Sequence, residues 1–210
     1  LLLLLLKGGK IMGRILNLKK LRKRVSDSRS IRKKIGTIFE KQLVGRHKKL
    51  VAGFDNHLVT QEIQAGRDGS NISRTLNGYG NLYAFLGFNH PEDPTSVIRN
   101  YLAAKIPYKV TSSRSTTQGF AINFKTNLPG IRDIESLSAL SHLGRSWVTG
   151  VERGKVDGFQ YYLNSRKHVS TSRSGKGVQI DKRLRSTNVK PIKYVNHLLE
   201  SFRKSLKKIK

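Results

Sequence analysis

The chain has 210 residues, enough to bury a core without staples, and suits one domain or one domain with appended tails. It carries 41 Lys+Arg against 13 Asp+Glu, a net +28, which points to a polyanionic partner: nucleic acid, an acidic membrane or an acidic protein surface. Cysteine is absent, which excludes a disulfide scaffold, a thiolate metal site and a cysteine nucleophile.

Residues 1–11 read better as nucleotides than as protein. Leu1–Leu6 and Lys7-Gly8-Gly9-Lys10-Ile11 precede Met12, the sole methionine. Lys7 to Met12 can be written AAAGGAGGTAAAATTATG, which holds a bacterial ribosome-binding site about seven nucleotides before an ATG; we therefore expect a translated leader, set aside before fold reasoning. Six leucines fall short of the apolar run of roughly 7–15 residues in a signal peptide, no basic residue precedes them, and no small-residue cleavage site follows. A bacterial gene, or a viral gene in a bacterial host, is expected. No transmembrane span is predicted.

The remaining charge is uneven. Met12–Lys34 has ten basic residues and one acid, Asp27, while Phe159–Lys210 has fourteen basic residues against Asp181 and Glu200. We divide the chain into a basic N-terminal arm (12–30), a core (31–163), a basic mobile loop (164–190) and a C-terminal basic amphipathic helix (191–210).

In chain order, Ser26–Ser30 offers N-cap residue types. A helix follows to about Phe54, with Ile31, Ile35, Ile38, Phe39, Leu43, Leu50, Val51 and Phe54 on one face, weakened by Gly36, Gly45 and Gly53. A second helix covers Leu58–Ala65 and stops at Gly66. Arg67–Asn77 is a polar loop. The apolar stretch Tyr79–Phe88 reads as a buried strand. Asn89–Pro94 is a turn, with Asp93 and Pro94 as N-cap and first position of a helix to about Lys105.

Tyr108–Ser115 and Gly119–Thr126 form a hairpin about Thr116–Gln118. Phe120, Ile122 and Phe124 alternate with Ala121, Asn123 and Lys125. Ile131–Leu140 is a short helix, with Ile131, Ile134, Leu137 and Leu140 inward. Ser146–Arg153 is another helix, and Phe159–Leu163 a short strand. The last helix presents Ile192, Val195, Leu198, Leu199, Phe202 and Leu206 on one side. The fold class expected is α+β: a small antiparallel sheet packed by a long N-terminal helix and a C-terminal helix, with basic flexible arms.

Candidate chemistry is sparse. The six histidines, His47, His57, His90, His142, His168 and His197, show no metal-ligand spacing. His57 with Thr60 and Glu62 would line a site only if the fold clusters them; an ordinary capping or surface role is favoured. Asp133 and Glu135 fall on different helical faces. Glu152 beside Arg145 and Arg153 suggests a local ion pair. Arg173-Ser174-Gly175-Lys176-Gly177 lacks the first glycine and the Ser/Thr of a P-loop, though its amides and cations would suit a phosphate or acidic group without specificity. No catalytic constellation, metal or cofactor is expected.

Candidate polyanion or partner contacts are Arg166, Lys167, Arg173, Lys176, Lys182, Arg183 and Arg185, with Arg22, Lys23 and Arg24 in the arm. Trp147, Phe85 and Phe88 are core or interface anchors.

Five stretches then carry a resemblance. They are Ile38–Leu50 (IFEKQLVGRHKKL), His57–Ile63 (HLVTQEI), Gly78–Phe88 (GYGNLYAFLGF), Gly144–Trp147 with Gly150–Gly154 (GRSW, GVERG), and Ser172–Gly175 with Gln179. In that order they resemble virion-associated proteins of marine T-even-like tailed bacteriophages, over about Arg29–Lys210. The layout is also similar to tail-component and tail-completion proteins of the head–tail neck. The resemblance implies a non-enzymatic virion protein of the neck or tail, a homo-oligomeric ring subunit assembled in the bacterial cytoplasm. Its partners would be other virion proteins, with non-specific DNA contact and no membrane. The alternative reading from charge is a basic nucleic-acid-binding protein, ribosome-associated or DNA-packaging.

Overall fold

The computed structural model describes residues 24–25, 27–78, 80–115, 120–140, 144–155, 161–164, 172–175, 177–183 and 190–209. The expected leader 1–11, arm residues 12–23 and the expected turn Thr116–Gln118 lie outside them. The chain is α+β, as expected. Helices are α1 (Arg29–Asp55), α2 (Leu58–Gln64), α3 (Leu82–Leu86), α4 (Thr95–Ala103), α5 (Ile131–Leu137), α6 (Trp147–Arg153) and α7 (Val195–Leu206), with a 3-10 turn at Gly66–Asp68. Strands β1 (Tyr108–Ser115) and β2 (Phe120–Thr126) make one antiparallel pair, and β3 (Tyr161–Asn164) and β4 (Val178–Arg183) another.

The chain divides into two compact units. One holds residues up to Ile38 together with Pro107–Thr126; the other holds Phe39–Ile106 and Asn127–Lys210. In the first, the expected hairpin forms, Tyr108 opposite Thr126 and Ser115 opposite Phe120, with a bulge between Val110 and Ser112. The Tyr108 ring meets Phe124 edge-on at 6.0 Å, and its hydroxyl donates to the Gly36 carbonyl at 3.2 Å. That bond ties the hairpin to the first turns of α1.

The second unit is built around a chain of aromatics. Phe54 stacks on Tyr194 (5.8 Å), Tyr194 meets Trp147 (6.1 Å), Trp147 meets Phe88 edge-on (5.7 Å), and Phe88 meets Tyr83 (5.4 Å). Each such buried ring contributes roughly 1.5–3 kcal/mol by leaving water. The contacts Phe54–Tyr194, Gly53–Leu198 and His47–Phe202 run in opposite sequence directions, so α7 lies antiparallel to the second half of α1. Glycine at 53 makes this approach possible: a Cβ there would stand 3.2 Å from Leu198 Cδ2. Helix α5 is tied to α4 through Tyr101, whose hydroxyl donates to Asp133 at 2.5 Å and accepts from Gly130 N at 3.2 Å.

Several expectations are corrected. Tyr79–Phe88 is not a strand: Leu82–Leu86 is a five-residue helix. Asn81 caps it by accepting from Ala84 N, and Gly87 ends it at φ +69. All five residues are buried, so the stretch has no periodic face to distinguish helix from strand. The 164–190 segment is not loop throughout, because Val178–Arg183 pairs with β3; its Val-Gln-Ile-Asp alternation was masked by basic surroundings. The strands form two separate pairs among the described residues, not one sheet. Ile38 and Leu137, expected inward, are 57% and 41% exposed. Each sits at the edge of its helix's apolar stripe. Asp93 accepts from Thr95 N as a cap does, but the helix begins one residue later than expected, at Thr95.

Candidate functional site

The most elaborate polar structure surrounds Glu62, which is 1% exposed on α2. Its Oε1 accepts from Asn71 Nδ2 (2.8 Å) and Leu82 N (2.9 Å), and its Oε2 from Ser73 N (3.0 Å) and Asn71 Nδ2 (3.1 Å). Asn71 in turn uses Oδ1 to hold Leu76 N (2.9 Å) and Gly78 N (3.1 Å). Asn81 Nδ2 donates to the carbonyls of Gly66 (3.0 Å) and Gly69 (2.6 Å). A carboxylate only accepts, and every partner here is a donor. The hub therefore shapes the loop between α2 and α3 and uses up its own bonding capacity in doing so.

That loop carries Arg67, which faces the turn Ser172–Gly177. The turn is closed by Ser172 Oγ, which donates to Gly177 O (2.6 Å) and accepts from Gly177 N (3.2 Å), and by Gly175 N donating to Ser172 O (3.1 Å). Gly175 has φ +67, and a Cβ there would meet Arg67 Nη1 at 2.8 Å. On the other side the Arg173 guanidinium covers Gly87, where a Cβ would meet Nη2 at 3.0 Å. The Arg173 carbonyl accepts from His90 N at 3.1 Å. Two guanidinium groups thus frame one glycine-containing turn. Asp68 lies 3.5 Å from Arg67 Nε and offsets part of that charge.

Of the residues singled out by sequence, Arg173 is exposed at this turn and Arg24 is exposed in helical backbone. Lys182 and Arg183 lie on β4. Arg22, Lys23, Arg166, Lys167, Lys176 and Arg185 lie outside the described residues. Trp147, Phe85 and Phe88 are buried in the core of the second unit.

His57, Thr60 and Glu62 do not converge. His57 Nδ1 accepts from Val59 N (3.2 Å), which leaves Nε2–H to donate to the Lys193 carbonyl (2.9 Å) and fixes a neutral tautomer. Burial, aided by His197, holds its pKa below 6.5, against the raising effect of the Lys193 carbonyl. Thr60 Oγ1 pairs with the Tyr194 hydroxyl at 2.7 Å, and burial pushes the Tyr194 pKa well up. Glu62 serves the loop. All three therefore hold elements together. Asp133 and Glu135 do face apart, Asp133 to Tyr101 and Glu135 to Thr149 (3.0 Å). Glu152 corrects the expected ion pair with Arg145 and Arg153: its oxygens accept from Asn196 N (2.8 Å) and Asn196 Nδ2 (2.6 Å), fastening the first turn of α7.

Among the described residues no group of three His, Asp or Glu side chains is placed to hold a metal ion. No described helix is long and apolar enough to cross a membrane. The basic residues that sequence reasoning passed over are Arg203, Lys204, Lys207 and Lys208, exposed at the end of α7. Their signal was legible as two i, i+4 pairs opposite Val195, Leu199 and Phe202. Neither a family model, nor a curated protein, nor a solved structure matches the chain.

Proposed function

We propose that the chain is a structural protein of a tailed-bacteriophage virion, a subunit of the head–tail neck or tail that works by assembly. The observation that supports this reading best is how the five resembling segments are used. Though scattered along the sequence, four of them meet in the second unit: Glu62 accepts from Leu82 N, Phe88 packs on Trp147, and Arg173 covers Gly87. These segments contribute Leu43, Val59, Ile63, Leu82, Phe85 and Trp147 to the core. Glu62 among them serves the fold, and exposed lysines such as Lys204, Lys207 and Lys208 would meet partners.

In this reading a folded core presents basic surfaces to acidic faces of neighbouring copies, to other virion proteins or to DNA. Closed symmetric assembly is the expected form. Sedimentation velocity of the purified chain tests it. A virion subunit forms closed oligomers, with DNA binding that fades at physiological salt. A chain that stays monomeric and binds nucleic acid tightly at physiological salt supports the alternative, a nucleic-acid-binding protein.

A further inference from the structure

The end of α7 gathers a basic surface. Arg203, Lys204, Lys207 and Lys208 are all exposed there. Arg203 and Lys204 lie in the last turn of α7, and Lys207 and Lys208 in the turn that follows it, where Lys208 N donates to Ser205 O at 3.1 Å. A neighbouring element adds to them. Arg203 Nη2 donates to the Pro129 carbonyl at 3.0 Å, which brings the start of α5 and its exposed Arg132 alongside. Five cations, four at the end of α7 and one at the start of α5, therefore come from neighbouring elements of one unit.

None of the ion pairs among the described residues involves these five. The acids nearby are Glu200, one turn before Lys204, and Asp133, which accepts from Tyr101. One or two lysines at a helix C-terminus are explained by the helix dipole. Four at the end of α7 and in the turn after it, with Arg132 at the start of α5, exceed that need.

We infer that this surface binds the phosphate backbone of duplex DNA without reading its sequence. Two features favour DNA over an acidic protein. Protein interfaces rely on buried apolar or aromatic anchors, and no large hydrophobic is exposed on α7; Leu137 sits at the other end of α5 from Arg132. The cations are mostly lysines, point charges on flexible stems that suit a repeating row of phosphates, spaced about 3.4 Å along each strand's axis. The inference goes beyond the virion reading and stands or falls separately, because incorporation into particles does not require it.

The test uses the full chain and a random-sequence DNA duplex, titrated by fluorescence anisotropy across salt concentration. Lys204→Ala/Lys207→Ala/Lys208→Ala removes three charges from the surface, and Arg22→Ala/Lys23→Ala/Arg24→Ala removes three from the arm. Each phosphate contact contributes about 0.9 to the slope of log K against log salt, so the helix triple should flatten it by about 2.7 and weaken binding on the order of 10- to 100-fold at about 50 mM salt. The arm triple should do much less. Arg132→Ala, on a separate helix, should flatten the slope by about 0.9. The inference is overturned if the helix triple binds like the parent, or if both triples weaken binding equally, since total charge then explains the effect. It is also overturned if poly-glutamate binds as tightly as the duplex and loses the same affinity in the helix triple. All the altered side chains on α7 are exposed, and an unchanged melting temperature confirms that the variants fold.

Discussion

Replacing Glu62 by glutamine keeps the side chain's shape and changes only what it can accept. In the wild type, Leu82 N–H points at Oε1 (2.9 Å) and Ser73 N–H at Oε2 (3.0 Å), while Asn71 Nδ2 lies between them. Whichever way the new amide is turned, its NH2 group faces one of the two backbone donors. Asn71 cannot rotate to offer its oxygen, because Oδ1 already holds Leu76 N and Gly78 N. One charge-assisted bond is lost and one buried N–H is left unpaired. A bond to a charged group contributes about 1.5–3 kcal/mol, and an orphaned donor adds to the loss, so Glu62→Gln should cost about 3 kcal/mol. That is a large part of a typical total of about 5–15 kcal/mol. For a chain of this size it lowers the melting temperature by about 6–12 °C. Asn71→Asp places a second carboxylate about 3 Å from the first and should cost more. Urea unfolding followed by fluorescence of Trp147, the only tryptophan, measures both. A Glu62→Gln variant within about 0.5 kcal/mol of the parent would refute the hub.

Trp147→Ala should cost about 3–5 kcal/mol by leaving a cavity between Phe88 and Tyr194, read by circular dichroism since the fluorophore is gone. Gly87→Ala forces a Cβ into the left-handed region and against Arg173, and should cost about 1–2 kcal/mol in urea unfolding. His57 is a pH-dependent tie. Its folded pKa lies below the unfolded 6.5, so its contribution is complete above about pH 6.5 and is lost as pH falls through the lower folded value. His57→Asn keeps a capping oxygen without the titration, so its stability should fall less steeply than the parent's below pH 6.5; equal slopes in a pH series of urea melts would contradict this.

Elements with one periodic apolar face were legible in sequence. The buried Phe39, Leu43, Leu50 and Phe54 mark α1, and Val195, Leu199 and Phe202 mark α7. The β1–β2 hairpin was readable from its alternation. Helix α3 was not, because five consecutive buried residues look alike in either conformation, and only Asn81 and Gly87 betray the helix. Strand β4 was hidden because the bias toward Ser, Arg, Gly and Lys around it suggests loop, and its partner strand lies across that stretch. Glu62 was read only as part of a possible site with His57 and Thr60. Its role as a hub was hidden because two of its partners are backbone N–H groups 11 and 20 residues away, which no side-chain pattern records. For the candidate contacts, charge along the sequence pointed to the arm and the 164–190 segment. The grouping of Arg203, Lys204, Lys207 and Lys208 with Arg132 depends on helices that approach only in the fold.

The central claim is that this chain is a built-in component of a tailed-phage particle. Quantitative mass spectrometry of density-purified virions from the phage that carries the gene tests it most directly. The account predicts the chain at a fixed copy number per particle, in a small multiple that matches one closed ring. Abundance in the infected-cell lysate with loss from the purified particles would contradict it.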